Sequence, residues 1–126
     1  MENKKVTGKM IICTINGKER EVQVRKHAPY TVRKTTAEFI ASQVMDSDGK
    51  YSPWKQSILM GMFVIINYTD FELPENWKDN EISVFMQGES YRKIKESVDL
   101  PELIEMENWI DDLVAYRKTC YARNSF

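Results

Sequence analysis

Histidine, cysteine and long apolar runs are scarce in this chain, and each scarcity removes a class of chemistry. The 126 residues hold one histidine, His27, and two cysteines, Cys13 and Cys120, at opposite ends of the sequence. A lone histidine beside Lys26, at the end of a predicted strand, lacks the positioned partner that acid–base catalysis needs and reads as a solvated hairpin residue. Cys13, His27 and Cys120 do not have zinc spacing, and two separated thiols are better read as reduced cysteines than as a disulfide. The longest nearly unbroken apolar run, Ile58 to Ile66, is interrupted by Gly61. It is far short of the roughly 20 residues that cross a bilayer. Met1-Glu2-Asn3-Lys4-Lys5 is polar and no signal-peptide core follows it, so the expectation is a soluble, non-exported protein with no membrane partner.

Glycine-rich phosphate loops are also missing; Gly8-Lys9 and Gly17-Lys18 are isolated pairs. Ser52-Pro53-Trp54-Lys55 has the spelling of an acyl-transfer nucleophile, but the companion motifs of those enzymes are absent and a helix cap explains it fully. Asp46-Ser47-Asp48-Gly49 opens like a calcium loop, yet the twelfth position is Ser57 rather than glutamate, so a helix-ending turn is the better reading. Asp111-Asp112 lies on the polar face of a predicted helix and is explained by solvation. Asn67-Tyr68-Thr69 spells a glycosylation site that has no meaning in a reducing compartment. No enzyme, no cofactor and no metal site is expected.

What is present is a helical pattern behind one hairpin. Met10 to Ile15 is rich in β-branched residues, Asn16-Gly17 accepts the positive φ angles of a type I′ turn, and Glu21 to Arg25 alternates polar and apolar. This predicts a β-hairpin over about 9–26. Ala28-Pro29-Tyr30 breaks the pairing, and the short basic hairpin is expected to serve as a docking arm outside the deepest core. Thr35-Thr36-Ala37-Glu38 has capping-box spacing and predicts a first helix whose face is Ala37, Ile40, Ala41, Val44 and Met45. Ser52-Pro53 predicts the start of a second helix, running to about Tyr68 with no clean polar face, and therefore buried. Phe71 to Lys78 reads as an ordered loop. A short helix with Ile82, Phe85 and Met86 follows, then further turns with Tyr91, Ile94 and Val98. Asp99-Leu100-Pro101-Glu102 opens a last helix over about 100–122 with Leu103, Met106, Ile110 and Leu113 as its stripe. The fold class is α+β, mainly α: an N-terminal hairpin on a bundle of three to five helices. Residues 1–8 are expected to be a flexible N-terminus and 9–126 a single domain, with the hairpin at 9–26 and the helical core at 35–122.

Charge is unevenly spread. Residues 1–60 carry eleven Lys/Arg and six Asp/Glu, whereas residues 61–126 carry seven and thirteen. Such a split bears on association: a basic face set against an acidic face of the next copy builds a ring or a filament. Trp54, Trp77, Trp109, Tyr51 and Tyr91 sit at segment starts or in loops, where aromatic anchors of interfaces are found. Of these, Tyr51 and Trp77 are expected to be partly exposed. Together with the basic Arg20, Arg25 and Lys26 they form the candidate partner-binding set. Nucleic acid is a weaker reading of the basic N-terminus, because the pI is about 5.9 and no recognition helix is evident.

From Thr35 to Tyr121 the layout resembles that of small, mostly uncharacterised proteins from the structural gene clusters of tailed bacteriophages infecting Gram-positive bacteria. The residues that carry the resemblance are Lys34 to Ile40, Tyr51-Ser52-Pro53-Trp54, the apolar helix closing in Asn67-Tyr68-Thr69-Asp70, and the late helix after Asp99-Leu100-Pro101-Glu102. The resemblance implies a virion structural or assembly protein, such as a connector, completion protein or tail-assembly factor. It implies other virion or assembly proteins and further copies of the chain as partners, and a location in the host cytoplasm and then the virion. It transfers no functional residues. The alternatives are an inhibitor that binds a host protein or nucleoprotein complex, and a small nucleic-acid-binding protein.

Overall fold

The computed structural model describes residues 8–46 and 48–124, with side-chain surroundings as far as Cys120. The expected flexible N-terminus therefore lies, apart from Gly8, outside the described residues. The elements are β1 (Lys9–Ile15), β2 (Lys18–Val24), α1 (Tyr30–Gln43), α2 (Pro53–Tyr68), α3 (Asp79–Met86), α4 (Glu89–Ser97) and α5 (Leu100–Asn124). The class is α+β, mainly α, with one antiparallel two-stranded sheet and five helices among the described residues. No helix among them is long and apolar enough to cross a membrane. The chain divides into two compact units: residues 1–28 with 61–100, and residues 29–60 with 101–126.

The first unit is built on the hairpin. Asn16 and Gly17 take φ of 53° and 78°, the turn that their small, permissive backbones allow, and this fixes Ile15 opposite Lys18 and Met10 opposite Gln23. The strand alternation then sends Cys13, Ile15, Val22 and Val24 inward, where they are 8% exposed or less. The outer edge of β2 is closed by the end of α2. Arg25 donates its backbone N–H to the Tyr68 carbonyl at 2.8 Å, and Val24 bridges Thr69. Thr69 is fully buried; its hydroxyl donates to the Ile65 carbonyl at 2.6 Å and accepts the Phe71 N–H at 3.1 Å. The edge of β1 is covered by α4, where the Ser90 hydroxyl accepts the Thr14 N–H at 2.8 Å. These contacts occupy part of each edge and reduce the template for strand-to-strand association.

This corrects the docking-arm expectation. Ile15, Val22 and Val24, each contributing about 1.5–3 kcal/mol, together with the buried Cys13 make the hairpin a core element of its unit. The pairing that ties it down runs to residues 67–70, which strand-level polarity does not reveal. Further inward-facing residues are Phe63, Val64, Ile65, Tyr68, Phe71, Ile82, Phe85, Tyr91 and Ile94. Gly61 of α2 lies against the Met86 side chain of α3: a Cβ there would sit 2.2 Å from the Met86 sulfur.

The second unit holds α1, the first half of α2 and nearly all of α5. Here the sequence expectation for α1 needs correction, because the helix starts at Tyr30 and the Thr35–Glu38 spacing lies within it. Pro29, at φ −58°, leads the chain into the helix, and the early turn is held from a distance. Tyr30 packs edge-to-face on Trp109 at 5.6 Å, and Arg33 stacks over both rings while its guanidinium meets Glu105 at 2.6 Å and Glu102 at 3.7 Å. A local capping motif loses to that set of contacts. Ala37, Ile40, Ala41, Val44 and Met45 are buried as the spacing requires, as are Leu103, Met106 and Ile110 on α5; the expected Leu113 is only half-buried, and its neighbour Val114 takes the buried position. The turn after α1 is closed by Asp46, whose Oδ1 accepts the N–H groups of Asp48 and Lys50 at 2.9 Å each, and Gly49 adopts φ 79°. Those bonds from main-chain N–H groups to the Asp46 carboxylate make the acidic turn a helix terminator.

The charge split between sequence halves does not separate the two units. The first contains eleven basic and eleven acidic residues, the second seven and eight. The basic hairpin folds against the acidic segment 61–100, so the asymmetry closes inside one unit.

Candidate binding groove

A recess of about 610 Å³ lies in the first unit. The hairpin tip supplies Thr14 and Asn16 to one wall; α3 supplies Asn80, Glu81 and Val84; the start of α4 supplies Glu89, Ser90 and Lys93. Trp77 and Phe85 contribute the aromatic surface. Each position has a local cause. The loop of residues 71–78 brings Trp77 onto Phe71 and Phe85, with ring centroids 6.1 and 5.5 Å away. The Glu81 carboxylate accepts the Lys78 backbone N–H at 2.9 Å, which closes the first turn of α3. With Ile82 and Phe85 turned inward, Val84 is left 69% exposed on the other side of the helix.

The groove offers an apolar aromatic surface, two carboxylates and several neutral hydrogen-bonding groups. Among the described lining residues Lys93 is the one cation, with Nζ 3.4 Å from the Ile12 carbonyl. Cys13 lies next to it, since its thiol faces the Ser90 carbonyl at 4.0 Å. Burial pushes the Cys13 thiol up from its ordinary value, against the smaller opposing effects of the Ser90 hydrogen bond and the Lys93 charge. A buried thiol held in its neutral form is a packing residue and a poor nucleophile.

The candidate residues from sequence are distributed as follows. Trp77 is half-buried and lines the groove. Arg20 is exposed and stacks over the Phe71 ring at 5.5 Å, so Arg20 and Trp77 share Phe71 as a neighbour. Arg25 is engaged internally, its Nε donating to the Asn67 carbonyl. Lys26 is exposed, and its carbonyl accepts the Asp99 N–H at 2.9 Å. Tyr51 is half-buried in the second unit, where it lines a smaller hollow of about 340 Å³ with Lys50 and Lys55. Its hydroxyl donates to the Gln56 side chain, Gln56 donates on to Asp111 at 3.3 Å, and Lys118 sits over the ring at 4.8 Å. Burial, and then the Asp111 carboxylate, push the Tyr51 hydroxyl above its ordinary value.

Of the other aromatic residues, Trp54 is 60% exposed, more open than either residue singled out as partly exposed, while Tyr91 is buried. Trp54 stands on the first turn of α2 with Lys55, and the buried side chains of that helix begin only at Ile58. Sequence reasoning also passed over Val84, Asn80 and Ser90. For Val84 a signal exists: it falls off the face defined by Ile82 and Phe85. No local signal marks Asn80 or Ser90. No protein-family model, no curated protein and no solved structure matches this chain.

Proposed function

We propose that this chain is a non-catalytic virion structural or assembly protein of the tailed-phage type, working through contacts with copies of itself or with other assembly proteins. The observation that supports this most is the groove of the first unit, where Val84 at 69% exposure stands beside the half-buried Trp77. A tryptophan in a concave surface with an exposed aliphatic neighbour suits a protein contact in which the indole is the anchor and Val84 adds apolar area around it. The resemblance of residues 35–121 to phage structural-cluster proteins supplies the class of partner. The Asn67-Tyr68-Thr69-Asp70 element, a main carrier of that resemblance, joins α2 to the hairpin. It therefore speaks for a shared architecture.

Crosslinking an equimolar mixture of ¹⁴N- and ¹⁵N-labelled chain with a lysine-reactive reagent tests the self-contact. Lys93 lines the groove, Lys78 precedes the first residue of α3, and both are exposed. Mixed-isotope crosslinks from either lysine are expected, and they should weaken in Val84→Glu. Crosslinks confined to single chains at every concentration would remove the self-assembly reading.

A further inference from the structure

We infer that the groove of the first unit receives an arginine-bearing, apolar-flanked peptide segment of the partner. This rests on the reading of the chain as a protein-binding subunit and specifies the chemistry of what it binds. The reason is charge complementarity around an aromatic surface. Glu81 and Glu89 line the recess, where the one ammonium among the described lining residues, Lys93, is turned to the Ile12 carbonyl, and Arg92, outside the lining, pairs with one oxygen of Glu89.

Both carboxylates keep acceptor capacity. Glu81 uses Oε2 on the Lys78 N–H, and Glu89 uses Oε1 on Arg92 at 3.1 Å, in an exposed pair. A carboxylate has about four acceptor sites on its two oxygens, so each retains an oxygen for an incoming guanidinium. The indole of Trp77 adds a π surface within the same recess, and a planar guanidinium stacks on such a surface while donating sideways to carboxylates. The molecule pairs guanidinium with aromatic ring elsewhere: Arg20 lies over Phe71 at 5.5 Å, and Arg33 lies over Trp109 at 5.9 Å while bound to Glu105. Val84 and Phe85 then accept an apolar neighbour of the arginine.

A direct test uses the full chain, uniformly ¹⁵N-labelled, titrated with a short blocked peptide bearing Leu-Arg-Leu between Gly-Ser spacers. A twin peptide carries citrulline, which has the shape of arginine without its charge. The arginine peptide should shift the Trp77 indole and the Val84 and Ser90 amides saturably, and leave the Trp54 and Trp109 indoles in place. The citrulline peptide, and the arginine peptide on the Glu81→Gln/Glu89→Gln variant, should each bind about tenfold more weakly, the loss expected for two exposed charge pairs. Glutamine at 81 keeps an acceptor for the Lys78 N–H, so the helix start survives in that variant. Equal binding of the two peptides, shifts centred elsewhere, or no shifts at millimolar peptide would each overturn the inference. If the peptide fails while mixed-isotope crosslinks persist, the occupant is wrong and the protein-binding reading stands. If the peptide binds and those crosslinks are absent, the partner is a different chain.

Discussion

Asp70 and Gln23 hold each other in two places: the Asp70 backbone N–H donates to the Gln23 carbonyl at 3.1 Å, and the Asp70 Oδ1 accepts the Gln23 N–H at 2.9 Å. The carboxylate acts as the missing strand atom, completing a pairing that begins at Val24 and Thr69. Replacing Asp70 by alanine leaves a part-buried N–H without its acceptor and should lower stability by about 1–2 kcal/mol. Asparagine preserves the acceptor and should lose less. Gln23→Ala should be nearly neutral, because only its main chain takes part in these two bonds. Urea denaturation of the three variants checks the order; an alanine variant as stable as wild type would show that the pairing is incidental.

Because the hairpin supplies Cys13, Ile15, Val22 and Val24 to the buried set, deleting residues 1–27 should leave a chain without cooperative unfolding. Near-UV circular dichroism and dye binding report this: the aromatic signal should collapse and dye fluorescence rise. Retention of a sharp thermal transition would restore the docking-arm reading of the sequence.

The hairpin itself was legible from sequence, because the Asn16-Gly17 turn is decided by two adjacent residues. So was α2, whose mid-section is apolar all round. The start of α1 was not. Thr35 and Glu38 present a complete local signal, and the actual start at Tyr30 depends on Trp109 and Glu105, which no window of sequence around residue 30 contains. The role of the hairpin was hidden for the same reason: polarity along 9–26 is visible, and pairing to 67–70 is not. Trp77 was legible as a half-exposed loop residue. The rest of the groove was not, because the fold alone brings Thr14 of the hairpin tip beside Ser90 of α4.

Ile65 has no exposed surface. A carboxylate placed there would be buried without a partner, so Ile65→Asp should unfold the chain or drive it into the insoluble fraction, a loss of at least about 4 kcal/mol. Ile66, one position on and 45% exposed, is the control; Ile66→Asp should remain folded. Similar melting curves for the two variants would misplace the buried face of α2.

Cys13 provides a pH test. Its folded-state thiol titrates above the ordinary value because of burial, so the native state holds the proton more tightly than the unfolded chain does. That contribution is complete below the unfolded thiol's own value and is lost as pH rises through the folded one. Wild type should therefore lose stability on the alkaline side more steeply than Cys13→Ala, with parallel curves at neutral pH. Thiol labelling of the native chain should reach the half-buried Cys120 and spare Cys13. Identical alkaline limbs in the two proteins would contradict the assignment.

The claim that this chain works by assembling is tested most directly by its mass in solution. Light scattering should be recorded on purified full-length chain across a range of protein concentrations, at low and high salt. The expected result is a species of integral multiples of 14.8 kDa that grows with concentration and shrinks in Val84→Glu. A steady 14.8 kDa at every concentration, unchanged by the substitution, would contradict self-assembly and move the function to a contact with a different protein.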